Sequence, residues 1–167
     1  MIFIVLSGIV AMIILSAFFS GAEMALSGAN RVRLENEAEN GNRSAARALK
    51  LIDRFERTLS TILVGNNLVN IASSSLTTVF VILATGNDRL NYLATIFLTV
   101  MVILFGETIP KIAGKKSATT YAKSVAAPVS FFRILFMPVS APVSWITSLI
   151  TKRIREEEPE DQEEEST

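Results

Sequence analysis

The sequence predicts an all-α membrane protein with three transmembrane helices, a cytosolic helical hairpin after the first, and a juxtamembrane interfacial helix region after the third. Three observations predict it. Apolar runs recur at about residues 2–26, 59–84 and 90–107, each close to the ~20 residues that a helix needs to cross a bilayer. Residues 30–57, between the first two runs, become polar and basic while keeping apolar residues at helical spacing. Half of the 167 residues are apolar and the mean hydropathy is +0.42, too high for an ordinary soluble domain.

Composition also excludes function classes. There is no Cys and no His, so disulfides, thiolate or imidazole metal sites and a histidine base are all ruled out. A formal net charge of zero hides an asymmetry. Eight of the sixteen acidic residues lie in Glu156–Glu165, leaving eight against sixteen Lys and Arg elsewhere. No basic stripe interleaved with aromatics is present, which argues against nucleic-acid binding.

The first run lacks the basic leader of a secretory signal and is followed by two further runs, so it reads as a true span. Its second half carries Ser16, Ser20 and Glu23 at i, i+4 and i+7, which puts them on one helical face. Glu23 also suits a residue that marks the membrane surface. In the next segment Val32, Leu34 and Ala38, then Ala45, Ala48, Leu49 and Ile52, recur at helical spacing. Asn40-Gly41-Asn42 between them reads as the turn of a helical pair. Seven bases, Arg31, Arg33, Arg43, Arg47, Lys50, Arg54 and Arg57, place this hairpin in the cytoplasm and the amino terminus outside.

The second span contains Gly65-Asn66-Asn67-Leu68-Val69-Asn70 and then Ser73-Ser74-Ser75. Asn66 and Asn70 share a face, whereas Asn67 points about a quarter turn away. Interhelical hydrogen bonding explains such residues in part, and amide oxygens also ligate hard cations. Thr85–Arg89 is a short polar connection with a single base, as expected of an external loop. The third span ends at Phe105-Gly106-Glu107-Thr108-Ile109-Pro110-Lys111, where a carboxylate lies at membrane depth. Pro110 cannot donate a backbone hydrogen bond, so it frees carbonyls near Gly106. Gly65 and Gly106 serve either as hinges or as points of close helix approach.

Residues 118–151 are apolar but flanked by bases on both sides, with prolines at 128, 138 and 142, so they read as interfacial helices anchored by Phe131, Phe132, Phe136 and Trp145. Residues 1–151 then form the membrane domain and 152–167 an acidic linker or tail.

Depth decides whether the polar groups can meet. At about 1.5 Å per residue, Ser16 lies roughly 14 Å above Ala25, and Asn66 and Asn70 roughly 12 to 18 Å above Thr58. The levels overlap. Ser16, Ser20, Asn66, Asn70, the Gly106 carbonyl and Glu107 offer oxygen donors alone, a set that suits Mg²⁺, Ca²⁺ or Na⁺ and does not choose among them.

The stretches Phe19-Ser20-Gly21-Ala22-Glu23-Met24-Ala25, Val64-Gly65-Asn66-Asn67-Leu68-Val69-Asn70 and Gly106-Glu107-Thr108-Ile109-Pro110-Lys111 resemble, in that order, motifs of the membrane domain of the CorC/CNNM family of magnesium transporters. The resemblance covers roughly residues 1–151. It implies a homodimer in the plasma membrane and Mg²⁺ export driven by inward Na⁺ movement; the carboxyl terminus is expected in the cytoplasm from Lys111, Lys115, Lys116 and Lys123 after the third span. By position the resemblance makes Ser16, Ser20, Asn70, Gly106 and Glu107 the leading Mg²⁺ ligands, with Asn66 and Asn67 next. Sodium either competes for the same oxygens or has its own site. Family members continue into cytosolic nucleotide-binding modules, for which nothing in these residues accounts, so ATP binding is not expected of this chain. The rival expectation is a non-transporting Mg²⁺-sensing scaffold or regulator of another transporter. An enzyme is not expected: the spans contain no Gly-x-Ser-x-Gly and no paired aspartates.

Overall fold

The structure is a computed structural model and describes residues 1–85 and 88–136, the side chains of residues 85 and 88–91 excepted. Among the described residues it is helical, with no strand. Helix α1 (Ile2–Gly28) is followed by the short α2 (Arg31–Glu39) and α3 (Arg43–Ile52), then by α4 (Phe55–Thr85). Helix α5 (Asp88–Ile103) runs through a π turn (Leu104–Thr108) into α6 (Ile109–Lys116), and α7 (Ala118–Leu135) closes the described chain. Three of these stretches, Ile2–Gly28, Phe55–Ala84 and Tyr92–Lys116, are long and apolar enough to span a membrane.

Helix α1 is central, touching α4, the π turn, α6 and α7. It runs antiparallel to α4, because Gly8 faces Leu76, Ser16 meets Asn70, and Phe19 packs over Gly65. A Cβ at Gly65 would come within 2.6 Å of the Phe19 ring, so the glycine is what lets that ring fill the gap between the two helices. The outer faces stay apolar and uncovered, with Ile4, Leu68, Ile71, Phe97 and Val100 all exposed, as expected of lipid contact.

The hairpin forms as its turn chemistry dictates. Asn30 and Asn42 cap α2 and α3 with their side-chain oxygens, which accept from Arg33 N–H and from Ser44 and Ala45 N–H. Gly41, at φ 88°, ends α2 with the paired bonds of a Schellman cap, Gly41 N–H to Ala38 O and Asn42 N–H to Glu37 O. Leu34, Ala45, Ala48 and Leu51 turn inward. They meet Ala122, Val125, Ala126 and Val129, spaced i, i+3, i+4 and i+7 on α7. Glu37 accepts from Lys123 Nζ at 2.6 Å, tying α2 to α7 across 86 residues. At the far corner, Thr58 donates to Leu51 O or Arg54 O at 2.9 and 3.1 Å, closing α3 onto α4.

Two expectations change. The third helix does not stop at residue 107, because the wider π turn, in which Ile109 N–H donates to Leu104 O, carries the helix past Pro110 and its missing N–H. Helix therefore continues to Lys116. Of the expected interfacial anchors, Phe132 and Phe136 turn inward. Phe132 meets Phe19 edge-on with centroids 5.0 Å apart and stacks on Phe136 at 5.6 Å. Being four apart, those two share a face, and that face is the one α7 lays on α1. Phe131 stays exposed. Trp145, Pro138, Pro142 and the acidic tail lie outside the described residues.

Candidate metal centre

The polar centre is built where α1 meets both α4 and the π turn. Ser16 Oγ lies 3.2 Å from Asn66 Oδ1 and 3.2 Å from Asn70 Oδ1, residues 50 and 54 positions away in the chain. One hydroxyl hydrogen thus faces two amide oxygens and can satisfy only one at a time. Ser16 is 1 % exposed and Asn66 is buried, so this surplus of oxygen lone pairs sits inside the bundle. Gly106 permits the arrangement, since a Cβ there would lie 3.1 Å from Ser16 Oγ. In an α-helix the Gly106 carbonyl would accept from residue 110, which is Pro110 and has no N–H.

Ser16, Asn70 and Glu107 line a cavity of about 230 Å³ together with residues of α4 and α5. Ser20, one turn along α1 from Ser16, is fully buried, and its hydroxyl has no hydrogen-bond partner among the described residues. Asn67 is exposed on another side of α4 and takes no part in this cluster. The reason is the one-residue offset from Asn66, about 100° of rotation.

Where the π turn runs into α6, Lys111 Nζ donates to Glu107 Oε1 at 3.0 Å and lies 3.8 Å from Glu23 Oε2. This ammonium between two carboxylates escaped the sequence reading, although Glu107 and Lys111 are i, i+4 neighbours and a helix would place them together. Also missed were the cavity's hydroxyls beyond Ser73–Ser75: Thr77 and Thr78 from α4, Thr95 and Thr99 from α5. Their signal was there, since Asn70, Ser73 and Thr77 repeat at i, i+3, i+7.

No group of three or more Asp, Glu, His or Cys side chains converges among the described residues. Any metal held here would rest on amide, hydroxyl and backbone oxygens with Glu107 as the carboxylate that lines the cavity, a donor set for hard cations.

Fold and site together define a multi-pass helical membrane domain with an oxygen-lined interior. The chain belongs to the CNNM family, described as the Cyclin M transmembrane N-terminal domain, whose profile matches residues 7–167. It is 38% identical over 140 residues to the UPF0053 inner membrane protein YfjD of Escherichia coli (strain K12), covering 84% of this chain and 32% of that protein. A UPF0053 protein of Haemophilus influenzae is 36% identical over 146 residues, covering 85% of this chain and 33% of the relative. A chloroplastic DUF21 domain-containing protein of Arabidopsis thaliana is 34% identical over 143 residues, covering 83% of this chain and 21% of that one. The chain therefore spans about a third or less of the length of these relatives.

Proposed function

We propose that this domain binds Mg²⁺ among Ser16, Ser20, Asn66, Asn70, Gly106 and Glu107 and exports it from the cytosol, coupled to Na⁺ entry. It does so as a homodimer in the cell membrane, with the amino terminus outside and the basic hairpin in the cytoplasm. The observation that carries the reading is Ser16 Oγ at 3.2 Å from both asparagine amide oxygens, beside a cavity that Glu107 also lines. A cation at that point would satisfy lone pairs that one hydroxyl hydrogen cannot. Mg²⁺ gives up its water reluctantly, so preformed oxygens held by close helix packing favour its dehydration.

In this mechanism Lys111 is a tethered competitor. Its ammonium neutralises Glu107 while the site is free of Mg²⁺, and an arriving divalent ion takes over the carboxylate as the ammonium moves toward Glu23. The test is Mg²⁺ flux in liposomes containing this protein alone. Asn70→Ala and Glu107→Gln should each abolish flux while helical content and monodispersity persist. Flux retained in both variants removes the proposed site. Absence of flux in the unmutated protein, with Mg²⁺ binding preserved, would point instead to a sensor or regulator.

A further inference from the structure

The cavity is longer than the cluster that Glu107 serves. From Asn70 it continues along α4 past Ser73 and Thr77, and Thr95 and Thr99 on α5 also line it. Hydroxyls on membrane helices ordinarily donate to the carbonyl one turn back. Ser60, Thr61, Ser75 and Thr78 of α4 all do so, at 2.9 to 3.1 Å. Ser73 does not. It is 1 % exposed, lines the cavity, and its hydroxyl has no partner among the described residues. Thr77, one turn further along the same face, is likewise buried at 4 %. A buried, unsatisfied hydroxyl costs free energy unless something in the cavity uses its oxygen.

We infer that Ser73 and Thr77, with Thr99 opposite, form a second, carboxylate-free cation site beyond the Glu107 cluster, suited to a monovalent hard cation such as Na⁺. Charge selects the occupant. The cost of transferring an ion from water scales with the square of its charge, so a divalent ion pays roughly fourfold more than a monovalent one at a site built of neutral hydroxyls. Mg²⁺ also holds its water too tightly for hydroxyls alone to strip it. The hydroxyl cluster opens into the same cavity as Glu107, whose carboxylate supplies the nearest negative charge and whose Lys111 partner can balance it. The inference rests on the proposed function only in treating that inner cluster as a separate divalent site.

The experiment compares thermal unfolding of the protein in lipid nanodiscs in NaCl, in choline chloride at equal concentration, and with added MgCl₂. NaCl should raise the unfolding midpoint of the unmutated protein relative to choline chloride. Ser73→Ala combined with Thr77→Val should weaken the apparent sodium affinity by about tenfold or more, the scale on which loss of supporting groups acts at metal sites, and leave the MgCl₂ response in place. Thr77→Ser, which keeps the hydroxyl, should retain the sodium response that Thr77→Val loses, a comparison that stands even where the double variant folds poorly. The inference is overturned by an unmutated protein indifferent to sodium, or by an undiminished sodium response in the Ser73 and Thr77 variants. Glu107→Gln reads the other site separately: an unchanged MgCl₂ response there would sink the proposed function and leave the sodium result to stand by itself.

Discussion

Where α3 and α7 meet the carboxyl-terminal end of α1, Ala45, Ala48, Leu51, Val125, Ala126 and Val129 form one buried apolar cluster. Nearer the middle of α1, Ser16, Asn66, Asn70 and Gly106 also come together, yet they leave amide oxygens sharing one hydrogen, and the Ser20 and Ser73 hydroxyls have no partner among the described residues. The first region is satisfied by its own side chains, and the second is not. Burying apolar surface stabilises the clamp of α2, α3 and α7, none of them among the three stretches long and apolar enough to span a membrane, whereas the second region lies on helices that are fit to sit in a bilayer. Within it lipid is as apolar as Leu, so only close approach and polar contacts hold helices together, and a polar cluster left incomplete marks a place for a ligand. Burial alone therefore does not separate scaffold from site; hydrogen-bond accounting does.

The comparison can be broken at its strongest point. Leu51→Ala in the clamp, at a residue 1 % exposed, should destabilise the fold by about 2–5 kcal/mol, measured as a fall in the thermal midpoint in detergent. The shift produced by MgCl₂ should survive, because no clamp atom belongs to the oxygen cluster. A lost Mg²⁺ response in a folded Leu51→Ala protein would mean the two regions are one cooperative unit.

Lys111→Met should act the other way, strengthening the apparent Mg²⁺ affinity in a binding titration by removing the ammonium that holds Glu107 at 3.0 Å. Weaker binding in that variant would show that Lys111 supports the site rather than competing for it. Asn42→Ala removes the oxygen that caps α3 and should cost about 1 kcal/mol, with ion responses intact.

The smallest effect is one of pH. Hydrogen bonds from Lys123 and then from Arg33 hold the Glu37 carboxyl below its ordinary value. A group whose pKa is lowered by folding adds stability above its unfolded pKa, and that contribution fades as pH falls through the folded value. Docking of α2 on α7 should thus loosen below the usual carboxylate range, seen as faster amide exchange in α2, and Glu37→Gln should remove the dependence. Since the pair is near the surface, its effect is small.

Much of this was legible beforehand because it is local. The Asn40-Gly41-Asn42 turn needs a glycine at positive φ followed by a capping side chain, and the sequence supplies both in order. Span positions followed from apolar runs, and shared depth put Ser16 level with Asn66 and Asn70. The limit of that reasoning is visible at Asn67, which the family resemblance grouped with Asn66 although helical spacing turns it about a quarter turn away, and at Phe132 and Phe136, whose apolar character suits lipid as well as it suits α1.

By itself the sequence determined which segments span, where the hairpin turns, and which oxygen-bearing residues lie at one level, since periodicity, capping and rise per residue act within a few positions of chain. Tertiary structure alone decided how each helix is rotated about its axis. Gly65 beneath Phe19 and Gly106 against Ser16 set that rotation, and with it Asn66 and Asn70 inward, Asn67 outward, Ser73 into the cavity, and Lys111 between two carboxylates. These are contacts between residues far apart in the chain, and steric fit between helices, not local preference, selects them.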